Sequence, residues 1–125
     1  MYREGRWRYI RVMASIGYAR VSTREQNPDG QTDLLAAAGC EKVFVEHASG
    51  VLAKRPALDD ALDYLRSGDT LVVTKLDRLG RSVRNLKEVV ESLQQRGIGL
   101  KALSQGIDTT TPGGRLFFHM LAAIA

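Results

Sequence analysis

The chain holds a single cysteine, Cys40, in 125 residues, which excludes an internal disulfide and fits a reducing compartment. It has only two histidines, His47 and His119, far apart in sequence, and no acidic pair at ligand spacing, so no metal site is expected. No apolar run approaches the roughly 20 residues that cross a bilayer, so no membrane partner is expected. The arginine-rich start lacks an apolar core and a cleavage-like site, so it does not read as a secretory signal, and a cytoplasmic protein is the expectation. Neither G-x-G-x-x-G nor G-x-x-x-x-G-K-[ST] occurs, so no phosphate cradle for a nucleotide is encoded, and no cofactor is expected. The G-x-S-x-G elbow of hydrolases is missing as well.

What remains is an ordinary soluble composition, 44% hydrophobic and 26% charged, at a length that makes one domain. A domain of this size buries roughly two-thirds of the surface of its unfolded chain. The net charge of +4 is uneven. Arg3, Arg6, Arg8 and Arg11 stand against Glu4 alone, so everything after residue 12 carries only +1. Residues 1–13 therefore read as a basic extension ahead of a domain over 14–125, with Met13 a natural alternative start. The basic residues of that domain are clustered rather than abundant, and clustering is what a phosphate site needs.

Strand and helix patterns alternate along the chain. A strand runs from Ile16 to Ser22, and a polar loop from Thr23 to Gly30 precedes a helix over 31–38 that Gly39 stops. Val43 to Glu46 reads as a strand. Pro56 opens a helix with Leu58, Leu62 and Leu65 on one face, ended by Gly68. Leu71 to Lys75 is an apolar strand, Ser82 to Arg96 a helix closed by Gly97, and Ile98 to Leu103 a fourth strand. Thr111 and Pro112 form the cap and first turn of a last helix. Connections this long exclude hairpins and predict an α/β domain: three layers around a four- or five-stranded, mainly parallel sheet.

Ligands of such sheets bind outside the carboxyl ends of the strands. Tyr18, Arg20 and Ser22 share one face of the first strand, and Ser22 ends it. The run Lys75-Leu76-Asp77-Arg78-Leu79-Gly80-Arg81-Ser82 ends another strand in the same way. Each has a plainer reading. A serine at a strand end most often starts a turn. Asp77 and Arg78 can form a structural ion pair, and Arg78, Arg81 and Arg84 one solvated helix face; Arg96 is read as solvated too. Arg20 is harder to explain that way, because a charge inside a covered sheet needs a partner or a ligand. Glu46 and Asp77 follow strands and could hold Mg²⁺, but arginines neutralise charge at such an edge without it. A serine among arginines, with no histidine beside it, points to phosphoryl rather than acyl chemistry.

The blocks Tyr18-Ala19-Arg20-Val21-Ser22-Thr23, Gln26, Gln31, Ala48-Ser49-Gly50, Arg55-Pro56, Lys75 to Arg81, and Thr111-Pro112-Gly113-Gly114-Arg115 together resemble the N-terminal catalytic domain of serine recombinases of the resolvase/invertase type. The resemblance runs from about Ser15 to Ala125, in order and spacing. It implies a site-specific recombinase that cuts duplex DNA, holds the 5′ ends on serine, exchanges them and rejoins them, in resolution, inversion or transposon integration. It implies Ser22 as nucleophile, Arg20, Arg78 and Arg81 as the clamp on the scissile phosphate, and Arg55 as a further contact. Asp77 would orient the arginines or take part in proton transfer, while Gln26, Gln31 and Glu46 support the site. No ATP is needed, because a phosphoserine conserves the bond energy.

In the family the last helix continues, carries dimer contacts and leads to a DNA-binding domain. The chain is therefore expected to be truncated within that helix, with the DNA-binding domain absent. Leu116, Phe117, Met120, Leu121 and Ile124 form an apolar stripe expected to pack against another subunit, in a dimer or in a synaptic tetramer. The rival from another class is a non-catalytic oligomerisation or regulatory module on the same scaffold. A third reading, a phosphoesterase with an exposed serine, predicts turnover of small phosphodiesters.

Overall fold

The computed structural model describes residues 13–22, 29–48, 55–80 and 82–124. Five strands form one sheet: β1 (Ser15–Ser22), β2 (Lys42–Ala48), β3 (Thr70–Val73), β4 (Gly99–Ala102) and β5 (Ile107–Asp108), in the order β2-β1-β3-β4-β5. β1 runs parallel to β2 and β3, and β3 runs parallel to β4. β5 adds an antiparallel edge to β4 that no sequence pattern announced. Two residues are too short for a periodicity to register.

Among the described residues, four helices cover the sheet: α1 (Asp29–Ala37), α2 (Pro56–Tyr64), α3 (Val83–Gln95) and α4 (Pro112–Ile124). The alternation of β1 sorts its side chains. Ile16 and Tyr18 join Leu58, Leu71, Val73, Val90, Leu93 and Leu100 in the larger core, under α2 and α3. Ala19 joins Leu35 and Val72 on the opposite face, under α1. Gly17 allows that approach, because a Cβ there would sit 3.1–3.2 Å from Val43, Cys40 and Leu35. The expected three layers are present.

Most boundaries differ by a residue or two from the sequence reading, but α2 stops at Tyr64, short of the expected end at Gly68: Leu65 is already extended, and Arg66 N donates to Asp69 Oδ2 at 3.0 Å instead of continuing the helix. α1 begins at Asp29 rather than Gln31, and β2 extends to Lys42 and Ala48, paired along its length with β1. Thr111 and Gly97 cap where the sequence put them, whereas Ser82, read as the first residue of its helix, is the cap of α3. Ser82 Oγ accepts from Asn85 N at 3.0 Å, Thr111 Oγ1 accepts from Gly114 N at 3.1 Å, and Gly97 follows α3 at φ 74°. Gly114 is required by proximity: a Cβ there would lie 1.7 Å from the Asp108 carbonyl oxygen, so the first turn of α4 is held against β5.

The last helix splits the expected stripe. Phe117 and Phe118 are partly buried against the main core, whereas Leu116 and Met120 are each 60% exposed. The side chains of Leu121 and Ile124, like residues 1–12, lie outside the described parts. No helix among the described residues is long and apolar enough to cross a membrane.

Candidate functional site

Two crossovers leave β1 and β2 on opposite faces. α1 links β1 to β2 on one face, and α2 links β2 to β3 on the other. The chain thus reverses direction across the sheet between β1 and β3, which is where open α/β sheets bind ligands. Ser22 is the last residue of β1 and pairs with Ala48 of β2. β3 ends at Val73, and a 3₁₀ turn over Leu76–Arg78 follows it at the same edge. Two strand ends, one carrying Arg20 and Ser22 and the other Asp77 and Arg78, therefore share the switch point.

Hydrogen bonds tie them together. Arg20 Nη2 donates to the Asp77 carbonyl at 2.6 Å, and Arg78 Nη1 donates to the Arg20 carbonyl at 3.2 Å. Gln31 Nε2 donates to that same Arg20 carbonyl at 3.0 Å, reaching it from α1. Its Oε1 is buried and has no hydrogen-bond partner among the described residues. Asp77 is exposed, and it serves Arg20 through its main chain rather than through a carboxylate ion pair.

A third guanidinium arrives from α2. Arg55, the residue before Pro56, donates to the Leu79 carbonyl through Nη1 and to Asn85 Oδ1 through Nη2 at 2.8 Å. Gly80 makes this possible, since a Cβ there would fall 2.6 Å from Leu86 Cβ, and the turn lies directly against α3.

Glu46 sits beneath this edge, only 5% exposed. Its Oε1 accepts from Leu58 N in the first turn of α2 at 3.1 Å and from Tyr18 Oη at 3.3 Å. A carboxylate there satisfies a free N–H and complements the positive helix end. Glu46 thus ties β2 to the start of α2 and to Tyr18 of β1. Burial, and then the Glu46 carboxylate, push the Tyr18 phenol well above its ordinary range, while Arg55 and Arg20 pull the other way. Tyr18 is therefore a neutral donor.

Of the expected site residues, Arg20, Gln31, Glu46, Arg55, Asp77 and Arg78 gather at one edge, along with the backbone of Ser22. Gln26 and Arg81 lie outside the described residues, as does Ser49, and the Ser22 side chain is not described. Ser82 is engaged as the α3 cap. The sequence reading missed Asn85 and Gln105, whose Oε1 accepts from Leu76 N at 2.9 Å and holds the start of the 3₁₀ turn. Their partners lie 30 and 29 residues away, so no local pattern marks them. Arg96 is a correction: although exposed, it donates to the Leu65 carbonyl at 3.0 Å and ties the end of α3 to the end of α2.

The donors converging on this edge are guanidinium groups and amides, a set that recognises anionic oxygens rather than cations. The family described as "Resolvase, N terminal domain" matches residues 15–125. The chain is 56% identical over 110 residues to a DNA-invertase of Escherichia phage P1, covering 88% of this chain and 59% of that protein. It is 50% identical over 112 residues to the transposon Tn552 resolvase of Staphylococcus aureus, covering 88% and 57%. The crystal structure of the N-terminal catalytic domain of TP901-1 integrase superposes with a TM-score of 0.75 at 32% identity, covering 89% of this chain and 92% of that one. The chain spans less than two-thirds of the length of the curated relatives it matches.

Proposed function

This chain belongs to the resolvase N-terminal domain family, and from that premise we propose that it is the catalytic module of a serine recombinase, cutting and rejoining duplex DNA through a phosphoserine bond. The observation that carries the reading is the cross-tie of Arg20 and Arg78 at the strand ends where Ser22 and Asp77 emerge.

In the proposed reaction the Ser22 hydroxyl attacks the scissile phosphorus. An O–P bond forms to serine, the bond to the 3′ oxygen breaks, and the serine proton is lost as the 3′ oxygen gains one. Rejoining reverses each change with a new 3′ hydroxyl, so no nucleotide is consumed. The pentavalent transition state gathers negative charge on its equatorial oxygens, and planar guanidinium forks from Arg20, Arg78 and Arg81 match that geometry. Gln31 fixes the backbone two residues ahead of Ser22. Asp77 and Glu46 keep the arginines and α2 in register, and Gln26 supports the nucleophile loop.

Duplex DNA is the proposed partner, with a cytoplasmic setting and resolution, inversion or integration as the task. The exposed Leu116 and Met120 of α4 are proposed as the contact of a dimer that pairs into a tetramer on DNA. A chimera tests the activity. Residues 15–125 replace their counterpart in the phage P1 invertase and are assayed on a supercoiled plasmid carrying that enzyme's inversion sites. Inversion by the chimera, abolished by Ser22→Ala, is expected; inversion that survives Ser22→Ala overturns the proposal.

A further inference from the structure

Arg55 donates to protein oxygens on two other elements. It is the cap residue of α2, with its backbone fixed by Pro56 on one side and by the Glu46-to-Leu58 bond three residues on. Its two terminal nitrogens reach the Leu79 carbonyl and Asn85 Oδ1. Leu79 is fully buried and directly follows the 3₁₀ turn that carries Asp77 and Arg78. Asn85 lies in the first turn of α3, where its own N–H is held by Ser82 Oγ. One guanidinium thus spans the start of α2, the end of the catalytic turn and the start of α3. Both acceptors are neutral protein oxygens, placed within reach because Gly80 lets the turn lie on Leu86.

We propose that Arg55, Asn85 and the Leu79 carbonyl form a brace that fixes the Asp77–Arg78 turn, so that Arg55 and Asn85 are positioning residues acting through Arg78 rather than ligands of the scissile phosphate. The proposal rests on the recombinase reading for its catalytic consequence, but the brace itself does not. Residues acting as one unit give non-additive losses, whereas independent contacts add. A phosphate ligand and a brace also respond differently to the substrate. A methylphosphonate at the scissile position removes one negative charge, so loss of a direct guanidinium contact matters less, while a misplaced turn stays misplaced.

Two measurements separate these cases. In the isolated chain, thermal unfolding of Arg55→Met, Asn85→Leu and the double variant should show a combined shift clearly smaller than the sum, and Asn85→Asp should keep more stability than Asn85→Leu. In the chimera, each single variant should slow cleavage by about tenfold, and the double variant little further. Arg78→Ala should recover part of its loss on methylphosphonate DNA, and Arg55→Met should not. Additive shifts, or recovery of Arg55→Met on the neutral linkage, would overturn the brace. A chimera that never cleaves while the unfolding shifts remain non-additive leaves the brace standing and overturns the recombinase reading instead.

Discussion

Arg20 and Arg78 cross-tie two strand ends: the Arg78 guanidinium donates to the Arg20 carbonyl, and the Arg20 guanidinium donates to the carbonyl of Asp77, one residue before Arg78. The two side chains thereby lock the ends of β1 and β3 across the switch point, 58 residues apart in sequence. A lysine at either position keeps the charge but loses the planar fork that can serve a carbonyl and a phosphate together. Arg20→Lys and Arg78→Lys should each slow cleavage by about one to two decades. Arg84→Lys on the exposed side of α3 should not, and equal sensitivity at all of these positions would point to a general DNA contact.

Arg96→Lys belongs to a different class. Its bond to the Leu65 carbonyl joins the ends of α2 and α3, far from the strand ends. Its replacement should lower the unfolding temperature and leave the cleavage rate per folded molecule unchanged. A cleavage defect without a stability change would contradict that placement.

The α4 stripe makes a prediction about assembly. Leu116 and Met120 are exposed, and burying a large aliphatic side chain contributes roughly 1.5–3 kcal/mol. Light scattering at micromolar concentration should show association that Leu116→Asp or Met120→Asp weakens. Phe117→Asp should unfold the chain instead, because Phe117 packs against the main core. A chain that stays monomeric under these conditions contradicts the docking role of α4.

Tyr18 sets an alkaline limit on stability. The unfolded chain releases this phenolic proton near its ordinary value of 10.0, while burial and Glu46 make the folded chain keep it to higher pH. Above that pH the unfolded state binds fewer protons, so the contribution, complete at lower pH, is lost at up to about 1.4 kcal/mol per pH unit. Denaturant titrations should show this slope flattened in Tyr18→Phe. An unchanged slope would mean that Tyr18 ionises freely in the fold.

Much of this architecture was legible in the sequence because it depends on neighbours. The alternation of Ile16, Tyr18, Arg20 and Ser22, the Pro56 and Pro112 helix starts, and the capping Thr111 are local signals, and the elements follow them. The shared edge of Ser22 and Asp77 followed from parallel topology alone. What stayed hidden depends on long-range contacts. β5 is two residues long, Asn85 and Gln105 are ordinary polar residues until the turn meets them, and Arg96 looks like any solvated helix charge. Glu46 was visible as a residue near a strand end, but its role as a buried cap of α2 required knowing that α2 starts above it.

The covalent bond is the centre of this account. The chimera, incubated with nicked inversion-site DNA that traps the cleaved state, should yield on proteolysis one peptide linked to a 5′ phosphate, and fragmentation should place the link on Ser22. Ser22→Ala should yield none while still binding the same DNA. A link at Ser49, Ser82 or any other residue, or cleavage with no protein–DNA bond at all, would contradict it.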